Sequence, residues 1–284
     1  MRWEGQRESQ NVEDRRGSSG RRVGGIGLGS VVVALALGWL FNINPLSILG
    51  VMEGVQQTTV QEEPAQPIPE DDEQARFVST MLASTEDVWT KVFAAEGKRY
   101  TTPKLVLFRG VYPTACGMGQ AAMGPFYCPA DQKVYIDLSF YDTLDKQLGA
   151  PGEFARAYVI AHEVGHHVQY LLGVHDEVAR LRSRLSEKEA NALSVRVELQ
   201  ADCFAGVWGH MVNQQTTMIE DGDVEAGLRA ASKIGDDTLQ RQAQGRVVPD
   251  SFTHGSSEQR VRWFRRGLDS GDANQCDTFS AQHL

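Results

Sequence analysis

Cysteine is scarce in this chain of 284 residues. There are four, too few for a small domain built on disulfides and enough for two staples. Basic residues are outnumbered, 28 Lys and Arg against 37 Asp and Glu, so the net charge is −9 at pH 7. That balance excludes a general nucleic-acid binder, which needs a basic face to neutralise phosphates. No internal repeat is visible. Hydrophobic residues at 41% and charged residues at 23% match ordinary globular usage. A fully disordered chain, a collagen and a coiled coil are thereby excluded. The sharpest absence is local: no charged residue stands between Val23 and Met52.

A bilayer core of about 30 Å needs about 20 apolar residues in a helix, and residues 23–43 supply them. Residues 1–22 before this run carry six arginines, and Glu53, Glu62, Glu63 and Glu70 follow it. By the positive-inside rule the basic tail 1–22 is expected in the cytoplasm, with everything after one transmembrane anchor exported across the inner membrane. A cleaved signal peptide is the rival reading, because Ala34-Leu35-Ala36 has the small-x-small form. Residues 44–72 hold Pro64, Pro67 and Pro69 among acids and read as a linker.

Residues 73–284 are expected to form the folded domain. Helical spacing of apolar residues marks Glu73–Glu96, Gly152–Leu172, Glu187–Gln214, Asp223–Thr238 and Ser256–Gly267. The last opens on Ser256 and Gln259, spaced as a capping box. Lys104–Phe108 is a short strand candidate. Lys133–Tyr141 alternates as a half-buried strand, and 110–131 reads as loop. The expected class is α+β, mostly helical with a small sheet, preceded by one transmembrane helix.

The central motif is His162-Glu163-Val164-Gly165-His166, midway along a predicted helix. Residues i and i+4 share a helix face, so the two imidazoles can hold one metal ion. Glu163, about 100° around the helix, is left to act as general base on the water at the metal's open side. A catalytic zinc needs a third protein ligand. No HExxHxxGxxH extension is present, since Leu172 stands where a third histidine would be. The third ligand is therefore expected to be a carboxylate on a later helix. Glu198 is the best candidate, with Asp202 at i+4 behind it to accept the free ring N–H of a ligand histidine. Glu189 is a weaker candidate, with no aspartate at i+4.

HEVGHHVQ followed by ELQADCFAG resembles the glutamate-liganded zincins, and most closely the bacterial membrane-anchored neutral zinc metallopeptidases. The resemblance covers the anchor and nearly all of 73–284. It implies a zincin-like metallopeptidase fold with one zinc per chain on His162, His166 and Glu198. Glu163 would be its general base, Asp202 the carboxylate that accepts a ligand histidine's free ring N–H, and a peptide or protein its substrate. Thr253-His254-Gly255-Ser256-Ser257-Glu258-Gln259-Arg260 is also similar to a third motif in the CAAX-processing and heat-shock type membrane zinc peptidases. There a His-Pro pair is followed by an arginine. By that resemblance His254 would donate to the developing oxyanion, and Arg260 would position substrate or a carboxylate. Gly255 stands where those proteins have proline.

An exported domain can keep disulfides. Cys116 and Cys128 flank a Gly-rich loop and are expected to bridge. Cys203 and Cys276 would then pair by elimination, unless Cys203 is a buried free thiol. His167 points away from the His162–His166 face and reads as structural. The strand Lys133–Tyr141 is expected to be either a sheet edge that an added peptide strand could extend or a plain core strand. The function expected is peptide-bond hydrolysis. The alternatives are a non-catalytic zincin-fold binding or scaffold protein tethered to the membrane, and a hydrolase acting on a cell-wall amide.

Overall fold

Helix α1, Glu73–Ala95, starts where Asp72 accepts a hydrogen bond from Ala75 N at 3.0 Å, a side-chain N-cap. Phe77, Met81, Val88, Trp89 and Phe93 are buried along it. In the computed structural model, residues 1–17, 65–120 and 124–284 are described. The anchor at 23–43 and linker residues 44–64 lie outside them. Among the described residues no helix is long and apolar enough to cross a membrane. One compact unit comprises Met1–Arg15 together with Pro67–Leu284.

The other elements are β1 (Val12–Asp14), β2 (Lys104–Phe108), β3 (Val111–Thr114), β4 (Gly117–Gln120), β5 (Phe126–Cys128) and β6 (Lys133–Asp137), then helices α2 (Ser139–Lys146), α3 (Glu153–Leu171), α4 (Val174–Arg182), α5 (Glu187–Gln215), α6 (Asp223–Lys233), α7 (Asp236–Gln244) and α8 (Ser257–Ser270). A four-stranded sheet runs β1-β2-β6-β5, and β3 and β4 form a separate hairpin. β1 and β6 both lie parallel to β2, and β5 is antiparallel to β6. The result is α+β and mostly helical, as the helical periodicity predicts.

Several expectations change. The alternation over Lys133–Tyr141 ends early: β6 stops at Asp137, whose Oδ1 accepts from Ser139 N at 2.9 Å as α2 begins. β6 is also not an edge, because β5 flanks it. Its second face is covered rather than solvated. Phe126 stacks on Tyr135 at 5.0 Å, and Phe108 and Tyr112 complete a small aromatic layer. That cover comes from 110–131, which contains β3, β4 and β5 instead of plain loop. Asp223–Thr238 is two helices, broken at Gly235, where a Cβ would fall 2.4 Å from Ser257 N.

The polar segment 1–22 is the largest correction. It is not wholly a tail, since Met1–Arg15 belongs to the folded unit. β1 pairs with β2 in register Val12↔Leu105 to Asp14↔Leu107, and Trp3 is 4% exposed. The β2 edge has buried N–H and C=O groups that need partners, and β1 supplies them.

Two backbone crossings set the helical layers. A Cβ on Gly165 of α3 would lie 2.9 Å from Ala201 O of α5, and one on Gly267 of α8 would lie 1.9 Å from Cys203 O. Only glycine permits approaches this close. They bring α3 against α5 at the motif and α8 against α5 two residues further on.

Candidate metal centre

α3 presents His162 and His166 on one face, their rings 4.8 Å apart. α5 presents Glu198 to both: His162 Nε2 lies 3.2 Å from Glu198 Oε2, and His166 Nε2 lies 3.5 Å from Oε1. One donor atom from each of the three falls within 4.8 Å of the others. A divalent cation bound between them would have two imidazole nitrogens and a carboxylate oxygen, a donor set suited to zinc with an open fourth position.

The remaining ring nitrogens are already engaged. His162 Nδ1–H donates to Asp202 Oδ1 at 2.8 Å, and His166 Nδ1–H donates to Gln169 Oε1 at 2.8 Å. The amide orientation of Gln169 follows from its own donors, since its Nε2 gives to Val197 O at 2.7 Å and Gln200 Oε1 at 3.1 Å. Both Nε2 lone pairs therefore face the gap, the tautomer a metal requires. Burial opposes a charged His162, but Asp202 and Glu198 outweigh it and push its pKa up to about 10. Burial likewise opposes a charged Glu198, yet the two histidines hold its carboxyl well below the usual range.

Behind His162 stands a fully buried network. Arg260 of α8 clasps Asp202 with two bonds, Nε to Oδ2 at 2.8 Å and Nη2 to Oδ1 at 2.9 Å. Tyr158 OH donates to the same Oδ1. Burial raises the pKa of Asp202, and Arg260 more than reverses this, to about 2. Of the two roles expected for Arg260, the geometry serves the positioning of a carboxylate. Its guanidinium is 3% exposed and engaged by Asp202, Tyr158 and Ile234 O, so it is not presented to a substrate.

Glu163 is 7% exposed, and burial raises its pKa. That moves a carboxylate toward the range in which a general base works near neutral pH. His254 lies in the turn before α8. Asp236 Oδ2 accepts from three successive backbone amides, Thr253, His254 and Gly255, at 2.7–3.0 Å, and its Oδ1 lies 3.2 Å from His254 Nδ1. This hydrogen bond raises the pKa of His254 against the opposing effect of burial. Gly255 has φ +95°, which proline cannot adopt, so the His-Pro form of the motif would not fit this turn. A Cβ there would meet Leu199 and Val195 at 3.2 and 3.3 Å, which places the turn on α5 beside Glu198.

Glu189 does not reach the centre and instead closes the capping box of α5 with Ser186. His167 is fully buried, with Nε2–H on Thr101 O at 2.6 Å and Tyr127 OH on Nδ1 at 3.0 Å. Burial lowers its pKa to about 4. Cys116 bridges Cys128, tying the β3–β4 hairpin to β5, and Cys203 bridges Cys276. The second bridge starts next to Asp202. Tyr158, Gln169 and Asp236 were not reached from the sequence. Tyr158 is one turn before His162 and Gln169 three residues after His166, so helix spacing held the signal for those two.

Residues 1–279 match the family described as putative neutral zinc metallopeptidase. The chain is 55% identical to the uncharacterized protein YpfJ of Escherichia coli over 289 residues, covering 98% of this chain and 99% of that one. It is 42% identical over 219 residues to the uncharacterized protein Rv2575 of Mycobacterium tuberculosis, covering 74% and 73%. No solved structure matches.

Proposed function

We propose, from the premise that the chain belongs to the putative neutral zinc metallopeptidase family, that it is a membrane-anchored zinc peptidase whose catalytic domain faces an oxidising compartment outside the cytoplasm. The observation that carries the reading is the convergence of His162 Nε2, His166 Nε2 and the Glu198 carboxylate, with both Nδ1 atoms tied back. The two disulfides favour the oxidising side, and the uncharged run at 23–43 supports attachment to the membrane.

His162, His166 and Glu198 would hold the ion, one zinc per chain. A zinc ion so held would supply Lewis acidity to the scissile carbonyl and lower the pKa of water. Glu163 accepts a proton from the attacking water and returns it to the leaving amine. His254, whose cationic form the hydrogen bond to Asp236 favours, donates to the oxygen that gains charge. Asp202, fixed by Arg260 and Tyr158, holds His162 in the ligand tautomer. β5 is the sheet edge beside α3, and the substrate peptide lies along it.

The test measures zinc content and peptide hydrolysis of the full chain beside Glu198→Ala and Glu163→Gln. About one zinc per chain, lost in Glu198→Ala, with hydrolysis lost but zinc kept in Glu163→Gln, is the expected result. Hydrolysis surviving in Glu163→Gln sinks the mechanism. Zinc without any hydrolysis in the parent chain would favour the tethered binding or scaffold role.

A further inference from the structure

Residues 1–15 are held by the same layers that carry the candidate metal centre. Trp3 meets Phe77 of α1 edge-on at 5.5 Å, and its Nε1 donates to Glu153 Oε1 at 2.8 Å. Glu153 is the first residue of α3, the helix of the two histidines. Ser9 is clamped twice on α1: its N donates to Ser79 O at 3.1 Å, and its Oγ to the buried Glu86 carboxylate at 2.6 Å. Leu105 N donates to Asn11 O at 2.9 Å and Arg15 N to Leu107 O at 2.8 Å, the ladder that seats β1 on β2. Glu13 takes Lys104 at 2.7 Å from β2 and Lys133 at 3.1 Å from β6.

A strand hydrogen-bonded in register to β2 shares β2's aqueous compartment, because a ladder cannot run across hydrocarbon. We infer that residues 1–15 and 67–284 lie on the same side of the membrane. The inference takes only the membrane from the reading above and is independent of zinc. It replaces the expected orientation, a cytoplasmic tail ahead of an exported domain. That orientation rested on the arginines of the first 22 residues. Arg2 and Arg7 instead face Glu220, Glu86 and Asp87 of the folded unit, so their presence has a cause in the fold. The two disulfides point to the oxidising side as the shared one.

The test uses the full chain in Escherichia coli spheroplasts, with Gln6→Cys and His283→Cys made separately. Both positions are exposed, and the natural cysteines described are all bridged. A membrane-impermeant maleimide is applied before and after lysis. Both sites reacting before lysis is expected. His283→Cys reacting while Gln6→Cys waits for lysis overturns the inference. Both waiting for lysis supports the shared side and overturns the extracytoplasmic placement proposed above. Docking is read separately by crosslinking. Asn11 Nδ2 lies 3.3 Å from Thr102 Oγ1, so an Asn11→Cys, Thr102→Cys pair should join through a short bismaleimide. An Asn11→Cys, Lys188→Cys pair serves as the distant control. No more crosslink in the first pair than in the control overturns the inference.

Discussion

The α3–α5 pair and the amino-terminal segment are both held by buried polar contacts, but the two are encoded differently. The metal centre is written in short spacings. His162 and His166, and Glu198 and Asp202, are each i and i+4 on one helix, and the glycine crossing at Gly165 brings the two helices together. The amino-terminal segment has no periodicity. Its contacts run from Ser9 to Glu86 and from Trp3 to Glu153, separations of 77 and 150 residues. Local encoding leaves a motif; long-range encoding leaves scattered polar residues that look like solvent-facing ones.

The comparison can be broken from either end. The largest effect is expected at the centre: Glu163→Gln should lower peptide hydrolysis by about 10²–10⁴-fold, measured as kcat/KM with zinc content unchanged. At the other end, Trp3→Ala should cost about 3–5 kcal/mol in urea unfolding, the cost of emptying a core aromatic site. A true tail would show a change within about 0.5 kcal/mol. Between the two, Asp202→Asn should weaken zinc binding by about 10–100-fold, read by competition with a chelating dye, while the disulfides and helix content persist.

Two pH dependences sharpen the contrast. Asp236 raises the pKa of His254, so activity should hold to a higher pH than an ordinary histidine allows and fall as pH rises through that value. Asp236→Asn should move the alkaline limb of kcat/KM to lower pH. The smallest effect is expected at Glu13. Burial opposes its charge, yet Lys104 and Lys133 lower its pKa to about 2 from the usual 4.5. Its contribution is present above pH 4.5 and lost as pH falls toward 2. Glu13→Gln should lower stability at neutral pH and flatten the acid limb of a pH–Tm curve.

What could be read from the sequence follows from where each signal lies. The helix carrying HEVGH and the helix carrying Glu198 show in periodicity because each buries a continuous face. Tyr158 sits in the same helical phase as the core aromatics, so it reads as packing, although its hydroxyl serves Asp202. Asp236 lies 18 residues before His254, beyond a helix break at Gly235 that periodicity runs straight through. β5 and its hairpin are hidden by the glycines and proline that shape their turns. β1 is three residues long, too short for alternation to register.

The long ladder also orders events in time. Trp3 leaves the ribosome 150 positions ahead of Glu153. At about 5–20 residues per second, that gap is on the order of ten seconds. Until β1 pairs with it, β2 has one edge open, and an open edge is a template for the wrong strand. The amino-terminal segment can thus take its places on α1 and β2 first, while Trp3 must stay available until Glu153 exists.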